Sequence, residues 1–105
     1  MTSQRKSVRR AWESEVDIEW PGEKRPGRTR NVSHGGLYIV MADPPPFGAR
    51  VLIHVRFPDI PDGCILASVV RWSQPGEGFG AQFESLRAVE AWALNRLLHS
   101  LPLLD

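Results

Sequence analysis

The sequence predicts a mainly β domain, a small barrel or sandwich of short antiparallel strands, finished by one C-terminal helix and preceded by a basic arm. Three observations lead there. Apolar and polar residues alternate in several short runs, the signature of half-buried strands. Nine prolines and nine glycines punctuate 105 residues, so the chain turns often and its strands are short. Beyond Leu86 the apolar spacing changes from two residues to that of a helix.

Residues 1–12 have no clear period and read as an arginine-rich arm; residues 13–105 read as the single folded domain. Residues 13–20 alternate cleanly, with Val16, Ile18 and Trp20 on one face and Glu15, Asp17 and Glu19 on the other. Two Pro-Gly pairs, Pro21-Gly22 and Pro26-Gly27, mark a loop. A short strand over 29–32 and an apolar strand over 37–41 enclose a polar turn at 33–36. The run Pro44-Pro45-Pro46 excludes a central strand, because proline brings no ladder N–H; it reads as a stiff loop. Strands follow over 51–57, 64–72 and 79–84, six in all. Ser85 is placed to cap a helix over 86–101, with Leu86, Val89, Ala93, Leu97 and Leu101 in its stripe. Trp92, Leu94 and Leu98 widen that stripe towards a second surface, and Pro102 ends it.

Composition sets bounds on function. The net charge of +1 speaks against a protein that coats nucleic acid, making a single-stranded nucleic-acid barrel the weaker reading. Cys64 is the only cysteine, so no intrachain disulfide forms; it reads as a small buried hydrophobe. No Cys/His spacing resembles a zinc site, and no metal or cofactor is expected. No signal peptide or membrane segment is visible, so a cytoplasmic location is expected. No carboxylate pair or Ser/His/Asp set has a structural context, and the adjacent Ser33 and His34 rarely converge on one substrate, so the chain is not expected to be an enzyme.

The charge is unevenly spread. Arg5, Lys6, Arg9 and Arg10 crowd the arm, with no acid before Glu13; Lys24, Arg25, Arg28 and Arg30 precede the polar turn. Arg5 and Arg9, four residues apart, offer two guanidinium forks, which match guanine N7/O6 edges and phosphate oxygens. The turn Asn31-Val32-Ser33-His34-Gly35-Gly36 offers an amide, a hydroxyl and two glycines, which let backbone approach an anion. Together they suggest a site for a ligand that is both guanine and phosphate.

In order and spacing, Arg5-x-x-x-Arg9, Asn31-x-Ser33-x-x-Gly36, Val69-Val70-Arg71-Trp72 and Gly78-Phe79-Gly80-Ala81-Gln82-Phe83 before a C-terminal helix resemble the PilZ domain family over nearly the whole chain. The one variation is Asn31, where that family often has aspartate. The resemblance implies a six-stranded split β-barrel that binds the bacterial second messenger cyclic di-GMP. It also implies that closure of the arm relays the signal to a protein partner. By resemblance Arg5 and Arg9 contact guanine edges and phosphates, and Asn31 and Ser33 meet a guanine edge or anchor the turn. Arg10 is a stacking or phosphate candidate, and Gly36 permits close approach or a positive φ. Gln4, just before the first arginine, bears on whether one ligand or a stacked pair binds. Lys6, His34, Gly35 and Trp72 are further candidates, against plainer readings: a solvated basic tail, an exposed loop histidine, and a tryptophan packed in the core or at its rim. An alternative keeps the fold without the ligand, as a protein-interaction module working through the helix face around Trp92 and Leu98.

Overall fold

The structure, a computed structural model, describes residues 8–103. Gln4, Arg5 and Lys6 lie outside the described residues. The elements in chain order are β1 (Arg10–Ala11), β2 (Glu15–Glu19), β3 (Lys24–Val32), β4 (Gly36–Val40), β5 (Arg50–Val55), β6 (Cys64–Gln74), β7 (Gly78–Phe83) and α1 (Ala88–Ser100). All strand pairings are antiparallel, in the order β1-β3-β2-β5-β6-β7-β4. A further pairing of β3 with β4 closes six of the strands into a barrel and leaves β1 outside it.

The alternation read from sequence fills the barrel. Val16 and Ile18 of β2, Leu37 and Ile39 of β4, Val51 and Ile53 of β5 and Leu66 and Val70 of β6 are all buried. Antiparallel pairing makes β3, β5 and β7 run in one direction, so their C-terminal ends meet at one end of the barrel. Helix α1 follows β7 there and adds Ala93, Leu94, Leu97 and Leu98 to the same core. His34, in the β3–β4 turn, bonds Asn95 across 3.2 Å, and Asp59, in the β5–β6 connection, accepts from Arg96 Nε at 2.8 Å. The helix therefore covers this end.

Several sequence expectations need correction. The loop expected around Pro26-Gly27 is strand: β3 is nine residues long. Trp20 N–H donates to Glu23 O and Thr29 N–H to Ser14 O. By alternation Pro26 faces Asp17 at a non-hydrogen-bonded pair, and its absent N–H would point to the side where β4 has already ended opposite Arg28. The helix begins at Ala88 rather than Leu86, and its N-cap is Arg87 rather than Ser85. Glu90 makes that start: its buried carboxylate accepts the Arg87 backbone N–H and the Arg87 guanidinium. Val89 is exposed, whereas Leu94 and Leu98 are core, so no second apolar edge forms around them. Among the three residues thought to widen the stripe, only Trp92 faces outwards.

Candidate functional site

The arm and the polar turn meet by strand pairing. Arg10 pairs with Val32 and Ala11 with Asn31. Residues 11–14 continue along β3: Trp12 N–H donates to Arg30 O and Ser14 N–H to Thr29 Oγ1. The Thr29 hydroxyl, buried, donates in turn to Trp12 O at 2.6 Å. Trp12 packs on Phe57 at 5.8 Å between ring centroids. The end of the predicted arm is thus sewn to the barrel, and the β1–β3 register, carried one residue further, sets Arg9 beside Ser33. Arg9 is half-buried there.

On its other side β1 meets the segment after α1. Ala11 N–H donates to Pro102 O, Arg10 forms an antiparallel bridge with Leu103, and Arg10 Nη1 donates to Leu101 O at 3.0 Å. Arg10 therefore holds the C-terminal segment with its guanidinium.

The residues of the turn differ in how fully their bonds are used. Ser33 Oγ accepts the Gly35 N–H at 3.2 Å, and Ser33 N–H donates to Gly36 O at 2.9 Å. Gly35 O accepts from Phe83 N–H, fixing the turn to β7. Gly36 has no positive φ, contrary to one of the roles expected for it. A Cβ there would lie 2.0 Å from Ala81 O, so glycine is required by the close approach of β4 to β7. His34 is exposed and bonded to α1. Asn31 is different: it is 8 % exposed, and its buried Oδ1 has no hydrogen-bond partner among the described residues. A buried polar atom left in that state costs about 1–3 kcal/mol, so it is suited to receive a donor from a ligand.

Around Asn31 lies a face the sequence reading saw only in part. Asn31 pairs with Tyr38, Tyr38 with Gly80, and Gly80 with Trp72, so the four share the outer surface of the barrel. The Tyr38 and Trp72 rings meet over Gly80 with centroids 5.6 Å apart, and the Arg30 guanidinium lies 5.8 Å from the Tyr38 centroid. Trp72 is 44 % exposed, so it is neither core nor a closed rim contact. Arg71 Nε donates to Gln82 Oε1 at 2.7 Å on the same face. Alternation over 36–40 could have shown Tyr38 opposite Leu37 and Ile39. The sequence showed Arg30 in the basic group and Arg71 beside Trp72, but their place on this face was hidden because both sit where the strand register shifts.

A further groove lies elsewhere. Its volume is about 1060 Å³, and it runs along β2, the first half of β3 and the adjoining ends of β5 and β6. Its lining carries three carboxylates (Glu15, Asp17, Asp62) and three lysine or arginine cations (Lys24, Arg28, Arg56). That balance selects for no anion, and none of the predicted site residues lines it. Chemistry therefore favours the junction of arm and turn over this groove. Among the described residues no cluster of His, Cys, Asp and Glu is placed to hold a metal ion, and no helix is long and apolar enough to cross a membrane.

Comparison with known proteins agrees with this architecture. No curated protein matches the chain. Among solved structures, the Bacillus subtilis inhibitor of motility MotI/DgrA superposes with a TM-score of 0.75 at 22% identity, over 94% of this chain and 51% of that one. This chain thus spans about half the length of MotI/DgrA. The PilZ domain of CeSA from a cellulose-synthesizing bacterium superposes with a TM-score of 0.67 at 19% identity, over 88% of this chain and 95% of that one. At those identities the two structures establish the fold. The PilZ domain family model matches residues 3–100, which takes in both arginines of the arm, the polar turn, all seven strands and the helix: the chain belongs to the PilZ domain family, a family of cyclic di-GMP receptors.

Proposed function

We propose that this domain binds cyclic di-GMP at the junction of the arm with the β3–β4 turn and passes the signal to a protein partner. The observation that carries the reading is the β1–β3 register, which fastens the end of the arm, Arg10 and Ala11, beside a turn whose Asn31 keeps a buried, unpartnered Oδ1. A guanine presents ring and exocyclic N–H donors to such an oxygen, while Arg5 and Arg9 supply forks for its N7/O6 edge and for phosphate. Ser33 and Gly36 hold the turn in shape, and Arg10 sits where movement of the arm reaches the C-terminal segment.

The energetics suit a short closure. Ordering backbone costs about 1–2 kcal/mol per residue, and a micromolar ligand yields about 8 kcal/mol. Residues 10–12 are already held by β3 and by Phe57, so ligand capture need not meet their ordering cost. Calorimetry with cyclic di-GMP tests the reading on the intact chain and on Arg5→Ala, Arg9→Ala and Asn31→Ala. Each variant should bind at least ten-fold more weakly; equal affinity in all four proteins would refute it.

A second reading, an interaction module that acts without the ligand, has one observation in its favour. Trp92 stands 53 % exposed on α1, with the Arg96 guanidinium 5.4 Å from its ring centroid. Absence of any calorimetric signal from the unaltered chain would favour it.

A further inference from the structure

We infer that the outer face of α1, around Val89 and Trp92, is a docking surface for a protein partner that presents an acidic amphipathic helix; this deepens the relay in the reading above and rests on it for the coupling alone. Helix α1 touches both halves of the candidate ligand site. His34, in the β3–β4 turn, shares a 3.2 Å hydrogen bond with Asn95. Arg10, at the end of the arm, donates to the carbonyl of Leu101, the C-cap of the helix. A change in the turn or in the arm therefore reaches α1 directly. Trp92 lies three residues before Asn95, on the same exposed side of the helix.

Packing divides the helix in two. Ala93, Leu94, Leu97 and Leu98 fill the core, and Glu90 is buried with them. On the opposite side Val89 and Trp92, three residues apart, are both exposed. Ala88 and Ala91 are exposed beside them and small, so the tryptophan stands above its surroundings. Its ring is braced in advance: the Arg96 guanidinium lies 5.4 Å from the ring centroid, and Asp59 holds Arg96 through Nε at 2.8 Å. A side chain ordered beforehand loses less freedom on binding, and tryptophan is the residue that most often anchors an interface. The 13 residues of α1 give a ridge about 20 Å long, against which a second helix can pack over about three turns.

Charge selects the partner. Glu90, the one carboxylate of α1, is buried, and Asp59, which meets Arg96, is half-buried. The guanidiniums paired with them stand out, at 74 % exposure for Arg87 and 58 % for Arg96. Each keeps donors that these pairs do not use. Glu90 takes Arg87 through Nε and Nη2, leaving Nη1, and Asp59 takes Arg96 through Nε, leaving both Nη groups. The acids are thus turned inward and N–H donors outward. Arg87 precedes Val89 and Arg96 follows Trp92, so the face is apolar at its centre and cationic at both ends. Apolar side chains flanked by carboxylates complement it, and a lysine-rich segment does not. Two large apolar side chains offer little area to hold a lipid surface, which favours a protein.

The test uses the whole isotope-labelled chain and two synthetic amphipathic helical peptides, one of leucine and glutamate and one of leucine and lysine, read by heteronuclear NMR titration. The glutamate peptide should bind and shift amides within residues 88–99. Trp92→Ala should weaken it about ten-fold or more, as loss of an anchor does, and Arg96→Gln about two- to five-fold, the range of an exposed ion pair. Both substitutions change exposed side chains, and unchanged circular dichroism would establish that both variants fold. No binding of the glutamate peptide, shifts that spare α1, or equal binding of the lysine peptide would each overturn the proposal. Phosphatidylglycerol vesicles held through Trp92 more tightly than the peptide would overturn it too and reassign the face to lipid. These titrations contain no dinucleotide, so the surface stands or falls apart from the ligand site. Added cyclic di-GMP should then change the peptide affinity about five-fold or more, and Asn95→Ala should remove that change. An affinity left unchanged while both molecules are bound overturns the coupling through α1. A dinucleotide that fails to bind while the peptide is held sinks the ligand reading and leaves the docking surface.

Discussion

Thr29→Val tests whether the fastening of the arm is what creates the site. Valine has nearly the shape of threonine, so the buried volume is kept and the hydroxyl alone is lost. That hydroxyl, 1 % exposed, donates to Trp12 O at 2.6 Å and accepts from Ser14 N–H at 2.8 Å. Both partners are only partly buried, so water replaces some of what they lose; we take about 1 kcal/mol for each, about 2 kcal/mol in all, from the low end of the range for unsatisfied groups. For a domain of this size that lowers the melting temperature by about 8–16 °C, and it leaves a fold whose total stability is about 5–15 kcal/mol intact. Urea and thermal denaturation measure the loss. Hydrogen exchange locates it, because the Ser14 amide should lose protection while amides of the β5–β6 pair keep theirs. Cyclic di-GMP affinity should fall as well, since β1 is no longer held beside Asn31 and Ser33. A stability change below about 0.5 kcal/mol, the range of ordinary surface substitutions, with Ser14 protection unchanged, would refute the reasoning.

Gly36→Ala should destabilise by about 3 kcal/mol or more, at the top of the range for overpacking, because its Cβ meets Ala81 backbone that has no rotamer to escape into; chemical denaturation measures it, and a stability within 1 kcal/mol of the parent would contradict the close approach of β4 to β7. Cys64 should react with iodoacetamide more slowly than free cysteine at mildly alkaline pH. Burial pushes its thiol pKa up, the Glu90 carboxylate adds to this, and the Arg87 guanidinium opposes it. The folded chain holds that proton more tightly than the unfolded chain does. This contribution to stability is therefore full below the ordinary thiol range and is lost as pH rises through the raised value; an alkylation profile matching free cysteine would contradict it.

What the sequence reveals of this fold follows the physics of each segment. Strands with one face in the core announce themselves by alternation, as Val16-Asp17-Ile18 and Phe79-Gly80-Ala81 do, because the period of the pleat is imposed by burial. Pro26-Gly27 misleads because a proline and a glycine usually turn the chain. Here Pro26 occupies a position whose missing N–H has no ladder to join, and Gly27 lies where a Cβ would meet Ile18 and Ile39 inside the barrel. Both are consequences of what the neighbouring strands do, which local composition does not carry. The helix start moved for a similar reason. Ser85 has the right chemistry for a cap, but Glu90 reaches back to Arg87 with both oxygens and fixes the first turn two residues later. The two bulges escape period-based reading altogether, since each one breaks the period that would reveal it.

The candidate site was legible as two motifs, but their residues are used in different ways. In the turn, Ser33 spends its hydroxyl on Gly35, and Gly36 spends its missing side chain on the approach of β7. Both are folding devices first, so on the proposed function substituting either should reduce binding by deforming the turn. Asn31 makes no such contribution through Oδ1, which is buried and unpartnered among the described residues. A fold does not gain stability from an oxygen in that condition. The pairing of β1 with β3 sets Arg10 and Ala11 along the strand that carries that oxygen, and the pairing of β4, β7 and β6 places it beside an aromatic surface. The motif therefore divides into residues that build the turn and one whose buried oxygen is left without a partner, and on the proposed function Asn31 is where binding and folding should separate most cleanly under mutation.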